Sequence, residues 1–340
     1  MVSVSGEAVF ERIERTRQLI SELEPILQSL MMNDSTMIDG LAQMLGTLQH
    51  MQQRTEAHIA NLAADLRELG TNLQRANGTA QAPAAGRVAF DPDDPEISLL
   101  AHLLPYLPNP VTIDVGANIG RVAQRLVAAG FEVFAFEPFP ASYASLAQEA
   151  ERQADRLHPF PYAIGAEDCE AKLLVAADSS GEGKWDTSLF HSTVRHPMLE
   201  DLTFAAAVTV TSRSLSSLMA AGGIPADAAV LKIDTEGADL EVMQGAGAAV
   251  FAAVLMEFWD ANHPFGRAGH GELGRSVQQM RARGYYWHIV IYRVDETGAL
   301  GYYCNARSTV PQSWGNAVFF RDFALFSQAA AWCAKALPAG

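Results

Sequence analysis

From Ile38 to Leu73 apolar side chains return in steps of three and four. Ile38, Leu45, Ile59, Leu66 and Leu73 share one position of a seven-residue repeat, and Leu41, Leu48, Leu62 and Leu69 share another. One narrow apolar seam sustained along a helix is the pattern of a coiled coil. Gln52 and Thr55 place a polar layer in the seam, which costs stability and restricts register and oligomer number. Ile13, Ile20, Leu23, Leu27 and Leu30 repeat in a different phase, and the capping side chains of "NDST" at 33–36 mark a break between the two runs. At ~1.5 Å per residue the second helix is roughly 60 Å long. Such a helix has little to bury except against another copy. The pattern therefore predicts a helical arm over 1–76 that makes the protein a homo-oligomer; packing of these helices on the rest of the chain is the alternative. The small residues, Gly and Pro of "ANGTAQAPAAGRV" predict a flexible linker over 77–90.

Beyond Asp91 the period changes repeatedly. "PEISLLAHLLPYL" reads as a short amphipathic helix. Strands follow at "VTIDV", "EVFAFE", "FPYAI", "AVLKID", "AVLMEF", "YYWHIVIYRV" and "WGNAVFF". Helices lie between them at "IGRVAQRLVAAG", "PASYASLAQEAERQA" and "GELGRSVQQMRARG". Strand and helix in alternation predict an α/β fold, a doubly wound and mainly parallel Rossmann-like sheet over 91–340.

Composition narrows the partners. A formal net charge of −15 with no basic run argues against nucleic-acid binding. Cys169, Cys304 and Cys333 are odd in number, far apart and not in a metal-ligand spacing, which predicts free thiols in a reducing, cytoplasmic setting. No apolar run is long enough to span a bilayer, and the N-terminus lacks the pattern of a signal peptide.

In doubly wound sheets ligands gather at the C-terminal strand edge. Carboxylates stand there: Asp114 ends the first strand, Glu137 ends the second, Asp234 and Glu236 follow the fourth, and Glu257 ends the fifth. In "DVGANIG", Gly116 permits a tight turn and Gly120 a close packing contact. Asp114 would repel a pyrophosphate and welcome an ammonium, which disfavours a dinucleotide-dependent oxidoreductase. Glu137, 23 residues on, is placed to accept from both hydroxyls of a ribose. A ligand with an ammonium and a ribose but no phosphate is S-adenosylmethionine.

The segments "IDVGANIG", "FAFEP", "YAIGAED", "LKIDTEGADLEVMQGAG" and "VLMEF" occur in the order found in FkbM-type methyltransferases, which this chain resembles over roughly 95–260. The resemblance implies the class I methyltransferase sandwich, seven strands with the last antiparallel. It also implies methylation of a hydroxyl on a sugar, glycan, glycolipid or polyketide-type acceptor. Carried over, Asp114, Gly116, Asn118 and Gly120 hold the methionine end of S-adenosylmethionine, and Glu137 the ribose. Pro138 and Phe139 shape the adenosine pocket, Ala163 and Ile164 lie near adenine, and Asp234, Glu236 and Gly237 form the floor beneath cofactor and acceptor. The family's Thr-Leu-Asp before the fourth strand is absent; Arg213 and Ser214 stand in "TSRSLSSLM", so acceptor choice is expected to differ if that Asp positions acceptors.

Deprotonating a hydroxyl calls for a base. Glu236 is placed for this, with Asp234 facing the cofactor's cationic end and His263 as a second candidate. His191 and His196 lie in a Gly- and Ser-rich segment of the kind that binds acceptors, and Trp185 and Trp259 are candidate sugar-stacking rings. Asp234, Glu236 and Glu257 offer hard oxygen ligands suited to Mg²⁺, although their spacing does not require a metal. A non-catalytic assembly protein, with the coiled coil as its working part, is the competing class of function.

Overall fold

The computed structural model describes residues 90–337 apart from 154, 181, 183–185, 195–200, 264–265, 267–270 and 307. The arm expected over 1–76, nearly all of the linker, Trp185 and His196 lie outside the described residues.

The centre of the described chain is an eight-stranded sheet. In chain order its strands are β1 (Val111–Val115), β2 (Glu132–Phe136), β3 (Leu157–Phe160), β7 (Val230–Ile233), β8 (Ala253–Trp259), β9 (Trp287–Val294), β10 (Ala299–Cys304) and β11 (Trp314–Phe320). Their spatial order is β10-β9-β11-β8-β7-β1-β2-β3. The run from β3 through β8 is parallel. β11 inserts antiparallel between β8 and β9, so the last strand is the reversed one. β10 adds an eighth strand by hairpin to β9 across Asp295–Gly298, an edge that the sequence pattern did not predict.

Helices cover both faces, and the burial along each strand shows why. On one face Val230, Leu255, Ile289, Ile291 and Val318 pack under α1 (Pro95–Leu103), α2 (Arg121–Ala129) and α7 (Phe323–Ala336) through Leu99, Leu103, Leu126 and Phe326. On the other, Ile113, Leu231, Ile233, Val254 and Val290 meet α4 (Leu215–Ala220), α5 (Asp239–Gly245) and α6 (Leu273–Ala282) through Leu218, Val242 and Val277. Strands buried on both faces must be almost wholly apolar, and β7 reads Val-Leu-Lys-Ile with every residue buried. Its lysine is the exception that organises the site. α3 (Pro140–Ala150) follows β2 and begins on a proline, which suits a first helical turn.

The expected third strand "FPYAI" divides. Its first residue ends β3, whereas Ala163–Ile164 form β4 of a second sheet. That sheet, β4-β6-β5, is a long hairpin of β5 (Cys169–Asp178) and β6 (Leu202–Arg213) with β4 alongside. The hairpin was not evident in the sequence because half of β6 is exposed, so its residues do not alternate strictly between apolar and polar.

Ser214 explains the departure from the family's Thr-Leu-Asp. It is the N-cap of α4, its hydroxyl accepting from Ser217 N at 3.2 Å. Asp168 takes a further share, accepting from Ser214 N and Ser217 Oγ at 2.7 Å each and pairing with Arg213 at 2.9 Å. A serine serves an N-cap as well as an aspartate does. This position therefore builds a helix end.

Candidate active site

At the C-terminal edge of the sheet a cavity of about 1180 Å³ opens. Gly116, Asn118, Glu137, Pro138, Ala163, Ile164, Asp234, Glu236, Glu257 and His263 all line it. Residues up to about 150 positions apart in sequence thus share one wall, because parallel strands deliver their C-terminal ends to the same side. Asp114, Gly120 and Phe139 are not on that wall.

Asp114 is fully buried, and its carboxylate lies 3.0 Å from the Lys232 amine. Lys232 is buried as well, 3.2 Å from Asp234 and within 3.4 Å of the Gly116 carbonyl. The ammonium that Asp114 was expected to meet is therefore supplied by the neighbouring strand. β1 and β7 are in register at this pair. Burial alone would lower the lysine's proton affinity, but Asp114 and then Asp234 outweigh it and hold the amine charged above the ordinary lysine range. Burial pushes Asp114 up, and Lys232 opposes that push.

The glycine loop crosses directly over Asp234. A Cβ on Gly116, whose φ is +77°, would stand 1.7 Å from the Asp234 carbonyl oxygen. Gly120, at φ +88°, starts α2 against Leu146 of α3, where a Cβ would lie 2.9 Å from a methyl group. Between them Asn118 adopts φ +49°, and its side-chain oxygen is buried without a partner.

Glu137 directly follows β2, each carboxylate oxygen holding one backbone N–H: Oε2 accepts from Asn118 N at 2.9 Å and Oε1 from Phe139 N at 2.7 Å. Each oxygen keeps a further lone pair. Burial raises this carboxyl to about 7, against the pull of those two N–H groups. Phe139 stands behind the wall, packed with Ala163, Leu173 and Val210.

Carboxylate oxygens of Asp234, Glu236 and Glu257 come within 4.8 Å of one another. Burial, then Asp234, then Asp239 raise Glu236 well above the carboxylate range; burial, then Glu236, raise Glu257 likewise. Asp239 fixes the geometry. One oxygen accepts from Thr235 N and Oγ1 at 3.2 and 2.6 Å, and the other from Glu257 N at 3.3 Å. Glu236 itself has φ +53°. The arrangement can share protons among three close carboxylates or hold a hard divalent cation.

His263 is buried against Trp259, ring centroids 4.6 Å apart, with Nε2 3.9 Å from Asp295. Burial depresses its proton affinity. Trp259 also stacks on Trp314 at 5.6 Å, and Arg293 lies 5.2 Å from Trp314 on the next strand over. Trp259 is thus part of a side-by-side row across β8, β11 and β9, and it lines the cavity together with Trp314.

Sequence reasoning missed Lys232 and Asp239. A lysine inside an otherwise apolar strand was a signal for the first. The second acts through Thr235 and the Glu257 N–H, which only the folded strand ends bring together.

The strand order, with the reversed last strand in place, is that of a class I methyltransferase sandwich, and the carboxylates stand at its ligand edge. A family model described as the methyltransferase FkbM domain matches residues 114–286, half of the chain, and the protein belongs to that family. The hexuronic acid methyltransferase AglP of Haloferax volcanii is 28% identical over 132 residues, 39% of this chain and 48% of that protein. The chain thus spans about half the length of this curated relative. The precorrin-6y C5,15-methyltransferase of Geobacter metallireducens GS-15 aligns at 10% identity and a TM-score of 0.35, over 71% of this chain and 94% of that one. The methyltransferase domain of bacterial CtHen1-C aligns at 10% identity and 0.36, over 68% and 98%. Both likenesses are too loose to add to the topology.

Proposed function

We propose that this protein is an S-adenosylmethionine-dependent O-methyltransferase whose acceptor is a sugar hydroxyl. The observation that carries the reading is one cavity joining the Glu137–Asn118 cradle to a cluster of carboxylates with raised proton affinity. The residues present fit the cofactor. Gly116 lets the loop lie close over the Asp234 carbonyl, Asn118 offers an unpartnered oxygen to an ammonium, and Glu137 has one lone pair per oxygen for two ribose hydroxyls. The sugar class is supported by the name of the relative AglP.

Bound S-adenosylmethionine supplies an electrophilic methyl group on a sulfonium. The chain's task is to align the acceptor with it and to take the hydroxyl proton. Glu236 is the proposed base. Its raised proton affinity brings it closer to that of the oxygen it must deprotonate than an ordinary carboxylate would be. Burial, then Asp234 and Asp239, keep that affinity high, and Lys232 holds Asp234 in place. His263 lines the same cavity and remains the second base candidate.

Radiolabelled methyl transfer to a panel of glycosides tests the activity, and calorimetry with S-adenosylhomocysteine tests the cofactor. Glu236→Gln keeps the shape and removes the base, so single-turnover transfer should slow by about a hundredfold or more with cofactor affinity little changed. A normal rate would transfer the role to His263 or solvent. The same three carboxylates within 4.8 Å also support a Mg²⁺ reading. Activity lost to EDTA and restored by Mg²⁺ would favour it; activity indifferent to EDTA would remove it.

A further inference from the structure

Between β5 and β6 the described residues 186–193 return to the cavity, tethered at several points. Thr187–Phe190 form one short turn capped by Asp186. Ser188 Oγ accepts from Asn118 Nδ2 at 3.4 Å. Ser192, almost fully buried, pairs its backbone with Leu174 of β5 in both directions and donates its hydroxyl to the Glu236 carbonyl at 2.8 Å. Between these anchors His191 sets its ring edge-on against Phe139, centroids 4.2 Å apart and planes at 70°. His191 lines the cavity together with Pro138, Ala163 and Ile164.

The imidazole has its tautomer chosen for it. Its Nδ1 accepts a hydrogen bond from the Ala176 backbone N–H at 3.1 Å. A nitrogen that accepts carries no proton, so the proton of the neutral ring is on Nε2. Protonating Nδ1 would break the bond to Ala176. Burial lowers the proton affinity of this ring, against the pull of Asp186, which keeps it in the neutral form. The segment thus brings to the wall one fixed N–H donor in an otherwise largely apolar corner of Pro138, Ala163, Ile164 and Leu173.

We propose that His191 is a cofactor-recognition residue whose Nε2–H donates to a ring nitrogen of the adenine base. The proposal rests on the S-adenosylmethionine reading of the cavity. Adenine presents its three outer ring nitrogens as acceptors, so a donor with a fixed tautomer discriminates for them.

The test is calorimetry with S-adenosylhomocysteine and the three analogues in which adenine N1, N3 or N7 is replaced by C–H. Wild-type protein and His191→Phe, which keeps an aromatic ring against Phe139, are compared. One neutral hydrogen bond corresponds to roughly a tenfold change in affinity. We expect one analogue to bind wild type roughly tenfold more weakly than the parent compound, and His191→Phe to bind both equally well. Thermal unfolding without ligand shows whether the variant folds; if it does not, His191→Leu carries the same comparison. The assignment is overturned if no analogue is discriminated by wild type, or if the discrimination survives the loss of the imidazole. A wild-type protein that fails to bind S-adenosylhomocysteine overturns the cofactor reading itself, a separate outcome.

Discussion

Lys232 and Asp114 are both closed off from water, and each is tolerable because of the other. Removing one partner leaves a buried charge uncompensated, at a cost of about 3–5 kcal/mol. Lys232→Met should therefore destabilise the protein by an amount of that order in urea denaturation, and adding Asp114→Asn should restore part of the loss. Recovery is incomplete because Asp234 also loses its cation. Glu137 gives a pH-dependent prediction. Its free carboxyl is raised to about 7, whereas ribose hydroxyls donating to it favour the ionised form and lower that value. Cofactor binding then expels a proton near neutrality. Affinity for S-adenosylhomocysteine should fall as pH drops through about 7 and level off above it. Calorimetry in two buffers of different ionisation enthalpy measures the released proton. Glu137→Ala should weaken binding more than tenfold, since charge-assisted bonds contribute about 1.5–3 kcal/mol each, and should abolish this pH dependence. An affinity that stays flat with pH in wild type would count against the ribose assignment.

At the scale of elements, most of the site is held by main-chain groups at strand ends. Asp239, in the first turn of α5, ties the turn after β7 to the first edge residue of the next strand's site, Glu257. α4 shows how one side chain can be exchanged without changing the element. Its cap needs an oxygen at Ser214 and not a particular residue. Ser214→Ala should cost about 1 kcal/mol, whereas Ser214→Asp, which returns the family's residue, should be close to neutral. Chemical denaturation of the two variants measures both. Methyl transfer should follow stability alone; a change in acceptor preference in Ser214→Asp would show that the position selects acceptors after all.

The whole molecule poses the question of assembly. Among the described residues no helix is long and apolar enough to cross a membrane. The heptads of 36–76 predict that the full chain self-associates, because the seam is too apolar to remain solvated on an isolated helix. Light scattering should find a dimer or trimer for the full chain and a monomer for a chain starting near Arg87, with cofactor binding retained. A full-length monomer at micromolar concentration would mean that the arm packs elsewhere.

The order of strands and helices, the glycine turn and the carboxylates at the strand ends were legible in the sequence because they depend on local periodicity and on where each strand stops. The family motifs lie on those same positions. Partnership across strands was not legible. Asp114 looked like a ligand group until β7 placed Lys232 beside it, and nothing in the sequence put Trp259 between Trp314 and His263. The hairpin's return path, which sets His191 against Phe139 and Ser192 on Glu236, depends on contacts 44 to 52 residues apart in sequence. Periodicity decides which way a side chain faces. Register and crossing loops decide what it meets, and a buried charge takes its role from what it meets.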